Sequence, residues 1–355
     1  MADKSSYRTQ SDAVSLQRTK NTIRDLPPYV NTYINSRFAS TSAQTMQQYA
    51  YSIRRFFVWL QESVPHLHNK PMSEITCDDL SLLTARDIEE FMIYLQTGKN
   101  KNSRAGVAQK IAAVGSLFKY LYRHDDISAD PFAKIERPKL VQDKRIIYLT
   151  DDECVLLMDT IEFGSPNIPN HQMAYLEKTR CRDLAITTLM LDTGVRLSEC
   201  IGLDIEDVNL RERKIQVYRK GGKYQYLPIN EEVAEILEQY ITERKNVCVS
   251  DKEDVKALFL SMRNNRISRL AIEQMIRKYA LYAGITKPIT PHKLRKTYGT
   301  ALYRKTRDIY LTANALGHEN VATTSRHYVD DNAESLREVA NEISVRKNTV
   351  IGSQT

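Results

Sequence analysis

The sequence predicts a mainly α protein of two domains: an N-terminal helical bundle, then a mixed α/β domain with a small antiparallel sheet. Three observations carry that class. Apolar residues recur at helical spacing through the front third. The segment DPFAKIERPKLVQDKR, residues 130–145, holds two prolines and no helical stripe. RKIQVYRKGGKYQYLPI, residues 213–229, combines alternating polarity with a glycine pair, the pattern of a β-hairpin. At 355 residues the chain is long enough for each domain to bury its own core.

Residues 1–27 lack an apolar h-region and read as a flexible tail carrying Lys4, Arg8, Arg18, Lys20 and Arg24. Residues 28–136 form the bundle. Within it, 45–60 place Tyr49, Ile53, Phe56 and Leu60 on one helical face, and 103–121 do the same with Val107, Ile111, Val114, Phe118 and Leu121 after the N-cap Ser103. Between them a helix starts at Thr84, with Asp87 three residues on, and closes near Gly98. Residues 130–145 read as extended, and the linker is set at 137–149 with the domain boundary near residue 145. The second domain, 150–331, opens on a helix capped by Thr150 and continues with a buried helix ending at Gly194. The hairpin follows, then helices near 231–245, 268–283 and 292–305. The closing segment 332–355 places Leu336, Val339 and Ile343 on one helical face.

The formal net charge is +7, and the cations are clustered. Lys287, Lys293, Arg295, Lys296, Arg304, Lys305 and Arg307 face one nearby acid, Asp308. Arg211, Arg213, Lys214, Arg219, Lys220 and Lys223 are opposed by Glu212, and Lys99, Lys101, Arg104 and Lys110 by no acid within 97–110. Each cluster alone is an ordinary solvated face, but the three together suit a phosphate backbone as partner. Candidate DNA contacts are Lys99, Lys101, Arg104, Lys110, Arg219, Lys223, Lys293 and Lys296. Five scattered cysteines without a CxxC pair fit reduced thiols in a cytoplasmic protein. No run approaches the roughly 20 apolar residues of a membrane span. No P-loop or convincing metal-ligand pattern is present, so no cofactor is expected.

The reactive residues of the second domain are Arg196 after Gly194, Lys220 at the hairpin tip, His292 and Arg295 three apart, and His318 and Tyr328 near the end. Attack on a phosphodiester builds negative charge on the non-bridging oxygens, which guanidiniums match with paired hydrogen bonds; Arg196 and Arg295 fit that role. A phenol with an ordinary pKa of about 10 needs cations or a base to become a nucleophile, and His292 and His318 are placed for this. A lysine on a hairpin is suited to protonate the leaving deoxyribose oxygen, the role given to Lys220. Each residue also has a plain reading: Arg196 can simply hold Glu199, a hairpin-tip lysine aids solubility, and most tyrosines pack.

TGVRLSE, RKGGKYQYLPI, HKLRKT and LGHENVATTSRHY, in that order, resemble the first arginine, hairpin lysine, His-x-x-Arg and final His-to-Tyr motifs of the tyrosine recombinases, the phage-type integrases. The resemblance spans the second domain, and the front bundle looks like the family's SAM-like core-binding domain. Within the family the chain most resembles the single-recombinase Xer group, which similarly carries PHKLR, RKGGK and an extended N-terminus. The resemblance implies a site-specific recombinase with a tyrosine-recombinase catalytic domain. Carried over to this chain, the resemblance implies Arg196 and Arg295 as phosphate clamps, Lys220 as general acid, His292 and His318 as supporting groups, and Tyr328 as the nucleophile that forms a 3′-phosphotyrosyl link. It also implies a homotetramer on synapsed recombination sites, with the C-terminal helix exchanged between protomers, acting in chromosome dimer resolution or mobile-element integration. Two departures stand out. Tyr328 lies ten residues after His318, where the common pattern has nine, the place of His327; imidazole would form only a labile phosphoramidate, so Tyr328 is retained. Lys296 replaces a histidine that often follows the second arginine. The alternatives are a catalytically inactive DNA-binding descendant, a type IB topoisomerase or telomere resolvase, and a helical scaffold.

Overall fold

Most of the segment expected to be a flexible tail is a helix. In the computed structural model, which describes residues 6–98, 101–136, 147–219, 223–251, 254–318 and 321, α1 runs Ser6–Ile23 and packs along α3, Ala43–Ser63. Its buried stripe is Ser15, Thr19 and Thr22, ending in Ile23. Thr19 donates to the Ser15 carbonyl at 2.8 Å and Thr22 to the Arg18 carbonyl at 2.8 Å, so the hydroxyls enter the interior already satisfied. Because that stripe is polar by composition, a search for apolar periodicity passes over it. Arg54 of α3 fastens the end of α1, donating to the Thr22 carbonyl at 2.9 Å and gripping the Asp25 carboxylate.

The chain divides into two units, Met1–Asp143 and Lys144–Thr355. In the first, α2 (Pro28–Arg37), α3, α4 (Cys77–Ser81), α5 (Ala85–Thr97) and α6 (Arg104–Arg123) surround an aromatic core. Phe56, Trp59, Phe91 and Phe118 are essentially unexposed there, with Phe56 5.1 Å from Phe91 and 5.7 Å from Phe118 between ring centroids. The expected caps form: Ser103 accepts from the Gly106 amide at 3.2 Å, and the Asp87 carboxylate accepts from the Thr84 amide at 2.7 Å. The extended reading that began at residue 130 needs correction at 131–133. Pro131–Ala133 is a 3₁₀ turn whose Phe132 joins this core, its ring 4.9 Å from that of Phe118.

In the second unit, α7 (Asp151–Glu162) begins as expected at Thr150, whose hydroxyl accepts from the Glu153 amide. Helix α8 (Asn170–Thr193) packs against α7, α10 (Glu231–Lys245) and α12 (Pro291–Thr306), and its Ala185, Ile186, Leu189 and Met190 are buried. Between α9 (Leu197–Gly202) and α10 lies an antiparallel sheet in the order β1 (Val208–Asn209), β2 (Lys214–Tyr218), β3 (Tyr224–Pro228). Ile215 pairs with Leu227 and Val217 with Gln225, turning Ile215, Val217 and Leu227 inward. The short β1 adds a strand to the hairpin read from the sequence. Helices α11 (Arg269–Tyr282), α12 and α13 (Ile309–Leu316) complete the described part; 332–355 lies outside it.

Candidate active site

Two glycine turns build the site. Gly194 ends α8 in the left-handed region at φ +61°, and a Cβ there would run into the Tyr298 ring, so only glycine serves. The chain then turns directly into α9, which puts Arg196 at its N-cap. Glu199 reaches back from the first turn of α9, accepting from the Arg196 amide at 2.9 Å and from its guanidinium at 2.7 Å. The second turn ends α13, a helix started by Asp308, whose carboxylate accepts from the Tyr310 and Leu311 amides. Gly317 closes it at φ +59°, and the His318 amide donates back to the Ala313 carbonyl at 2.9 Å.

The carbonyls at the end of α13 are the electronegative pole of the helix, and three arginines converge on them. Arg196 donates to the Gly317 carbonyl at 2.6 Å. Arg295, 4% exposed on α12, bonds the Leu316 carbonyl with one terminal nitrogen and the Gly194 carbonyl with the other. Arg219, at the end of β2, donates to the Leu316 carbonyl at 2.9 Å and the Ala315 carbonyl at 3.0 Å. The buried Glu199 carboxylate lies 3.4 Å from Arg219 while holding Arg196. Arg196 is therefore a partner of Glu199, as its plain reading has it, and with five N–H groups a guanidinium has donors beyond that pair. Arg196 keeps a side chain about one-third exposed (32%).

The structure thus gathers Arg196, Arg295 and the His318 turn from segments far apart in the chain. His292 stands exposed in the first turn of α12, one turn from the buried Arg295. Lys220, Tyr328 and Lys99 lie outside the described residues.

Among the candidate DNA contacts, Lys101, Arg104 and Lys223 are exposed. Lys293 and Lys296 are partly so; burial, then the charge of Lys296, holds the Lys293 pKa below the ordinary lysine value. Lys110 is half-buried, donates to the Asn102 side chain at 2.7 Å and has its pKa lowered chiefly by burial. Arg219 requires correction: it is 6% exposed and turned onto backbone carbonyls, so it is not a surface cation awaiting a phosphate. Burial pulls its pKa down, and the Glu199 charge opposes that pull. Glu199 itself was absent from the sequence-derived site. Its signal was there, an acid three residues after an N-cap position, although that spacing alone announces only a helix start.

Residues 148–335 match the phage integrase family, and residues 30–126 match the phage integrase N-terminal SAM-like domain. The match to the SAM-like domain begins after α1. Tyrosine recombinase XerS of Streptococcus agalactiae is 32% identical over 337 residues, spanning 86% of this chain and 93% of the relative. Tyrosine recombinase XerC of Caldanaerobacter subterraneus subsp. tengcongensis is 32% identical over 326 residues, spanning 89% of this chain and 86% of the relative. Among solved structures, the XerH site-specific recombinase bound to palindromic difH substrate has the same fold, with a TM-score of 0.64 at 20% identity over 84% of this chain and 80% of that one.

Proposed function

The chain belongs to the phage integrase family, and on that footing we propose that it is a site-specific tyrosine recombinase that cuts and rejoins double-stranded DNA. The observation that supports this best is the convergence of Arg196, Arg295 and the His318 turn on one point, from α9, α12 and the end of α13. Two guanidiniums fixed by glycine turns and a buried carboxylate are preorganised for a phosphate whose charge grows in the transition state. In the reaction, the Tyr328 oxygen attacks phosphorus as the bond to the 5′-oxygen breaks. Lys220 gives that oxygen a proton, and His292 and His318 assist proton removal from the phenol and hold the phosphate. The product is a 3′-phosphotyrosyl bond and a free 5′-hydroxyl. A 5′-hydroxyl from the partner strand reverses the step, so the bond energy is conserved and neither ATP nor a metal is consumed.

The exposed cations Lys101, Arg104 and Lys223, with the partly exposed Lys293 and Lys296, serve the duplex backbone, and affinity falls steeply with salt. The active assembly is a homotetramer on two synapsed sites. Leu336, Val339 and Ile343 supply the apolar stripe that docks on a neighbouring protomer. The test is capture of covalent DNA. Source-genome fragments are incubated with the protein in EDTA and denatured, and the DNA still attached is sequenced and its peptide mapped. The expected result is Tyr328 joined to one recurring sequence, lost in Tyr328→Phe. Native binding without an adduct, even on nicked substrates that let the 5′ strand diffuse away, would sink the chemistry.

A further inference from the structure

Arg219 has no part in the sequence-derived catalytic set, yet it makes more of the site's internal bonds than an incidental surface arginine would. Its amide donates to the Lys223 carbonyl at 2.8 Å, which pins its backbone where the hairpin turn begins. Its guanidinium reaches α13, where adjacent terminal nitrogens donate to two consecutive carbonyls, Leu316 and Ala315, at 2.9 and 3.0 Å. The same group lies 3.4 Å from Glu199, the carboxylate that orients Arg196. Gly317 makes room for it, since a Cβ there would stand 2.7 Å from the central guanidinium carbon. A planar fork spanning two carbonyls and a carboxylate cannot be reproduced by the point charge of lysine.

We infer that Arg219 is a positioning residue that locks the His318 turn to the Arg196–Glu199 pair, and so sets where His318 meets the scissile phosphate. The inference rests on the recombinase reading. Without Arg219 the buried Leu316 carbonyl keeps only Arg295 as a donor, the partly buried Ala315 carbonyl loses its guanidinium, Glu199 loses one of its two cations, and the turn carrying His318 is free to shift against Arg196. Arg219 acts through these groups and touches no DNA.

The test uses the full-length protein and the duplex captured by the wild type. Arg219→Gln is expected to cut a nicked trapping duplex about 100-fold more slowly, the scale on which small misplacements of reacting groups act. Its affinity for the same duplex and the salt dependence of that affinity stay unchanged. His318→Ala is also slow, and Arg219→Gln combined with His318→Ala is no slower than the slower single variant, because the two act as one unit. Multiplying defects in the double variant would overturn the inference, as would wild-type cleavage by Arg219→Gln. A weaker affinity with a shallower salt dependence would overturn it too, by making Arg219 a phosphate contact. Should Arg219→Gln unfold at the assay temperature, Arg219→Lys takes its place; unfolding of both, with His318→Ala intact, would reduce Arg219 to a folding role. Failure of the wild type to cut any duplex is a different result, and would fell the recombinase reading itself.

Discussion

Phe56 in the first unit and Arg295 in the second are both buried, yet they hold their surroundings by opposite means. Phe56 sits among rings, 5.6 Å from Trp59 and 5.1 Å from Phe91, and its contribution is removal of apolar area from water. Arg295 brings a charge inside and satisfies it with the Gly194 and Leu316 carbonyls. Among the described residues, the fully buried polar side chains of the first unit are Ser, Thr and Gln, whereas the second buries Asp183, Glu199, Arg219, Arg244 and Arg295. Burying a charge costs several kcal/mol unless it is paired.

Buried charge alone does not mark the site, however. Asp183 pairs with Arg182 at 2.6 Å and accepts from Thr179 and Tyr279; burial still pushes its carboxyl pKa upward. There one arginine meets one carboxylate. At the end of α13, by contrast, three guanidiniums gather and the Glu199 carboxylate bonds two of them, leaving an excess of positive charge beside two glycine turns.

The contrast can be broken or sharpened by substitution. Arg295→Ala should lower covalent adduct formation by about 1,000-fold, the scale of losing a preorganised donor to the transition state. Adduct yield at a near-wild-type rate would remove Arg295 from the site. Phe56→Ala should destabilise the first unit by about 3–5 kcal/mol, read in urea unfolding, because the rings around it cannot collapse into the space. A loss below about 1 kcal/mol would mean that the aromatic core is not what holds that unit.

Next come two glycines, both at positive φ, whose surroundings differ. Gly284→Ala meets nothing within 4 Å and should cost only the left-handed backbone strain, about 1 kcal/mol. Gly317→Ala adds a clash with Arg219, and should lower both thermal stability and cleavage more than Gly284→Ala does. Equal effects on cleavage would separate the Gly317 turn from the chemistry.

The smallest effect belongs to Asp25, whose hydrogen bond to Arg54 holds its carboxyl pKa below the ordinary value. Since the folded pKa lies below the unfolded one, the stabilisation is present above the usual aspartate range and lost as pH falls through the folded value. With Asp25 exposed and Arg54 partly so, Asp25→Asn should cost less than about 1 kcal/mol and erase that part of the acid sensitivity of α1.

Much of the fold was legible because apolar periodicity and capping chemistry are local. Val107, Ile111, Val114, Phe118 and Leu121 all point inward from α6, and Thr84, Ser103 and Thr150 stand where helices begin. The misses share one cause. Helix α1 packs through Ser15, Thr19 and Thr22, and Phe132 enters the core from a proline-led turn, so neither presents an apolar helical stripe. In the site, Arg196 and Arg295 were readable from chemistry and motif order. Glu199 and the inward turn of Arg219 were not: an acid three residues after an N-cap announces only a helix start, and a guanidinium at a hairpin turn faces either solvent or a carbonyl with the same local sequence.

The sequence by itself determined the two-part architecture and the hairpin through spacing along the chain, and the family through the resemblance of its motifs. Only the tertiary structure decided which cations are surface charges and which are internal struts. That choice depends on what lies opposite: Arg219 is buried because the Ala315 and Leu316 carbonyls, 96 and 97 residues further along the chain, end a helix within its reach. Without that helix end nearby, the cost of desolvating a guanidinium would leave it in water.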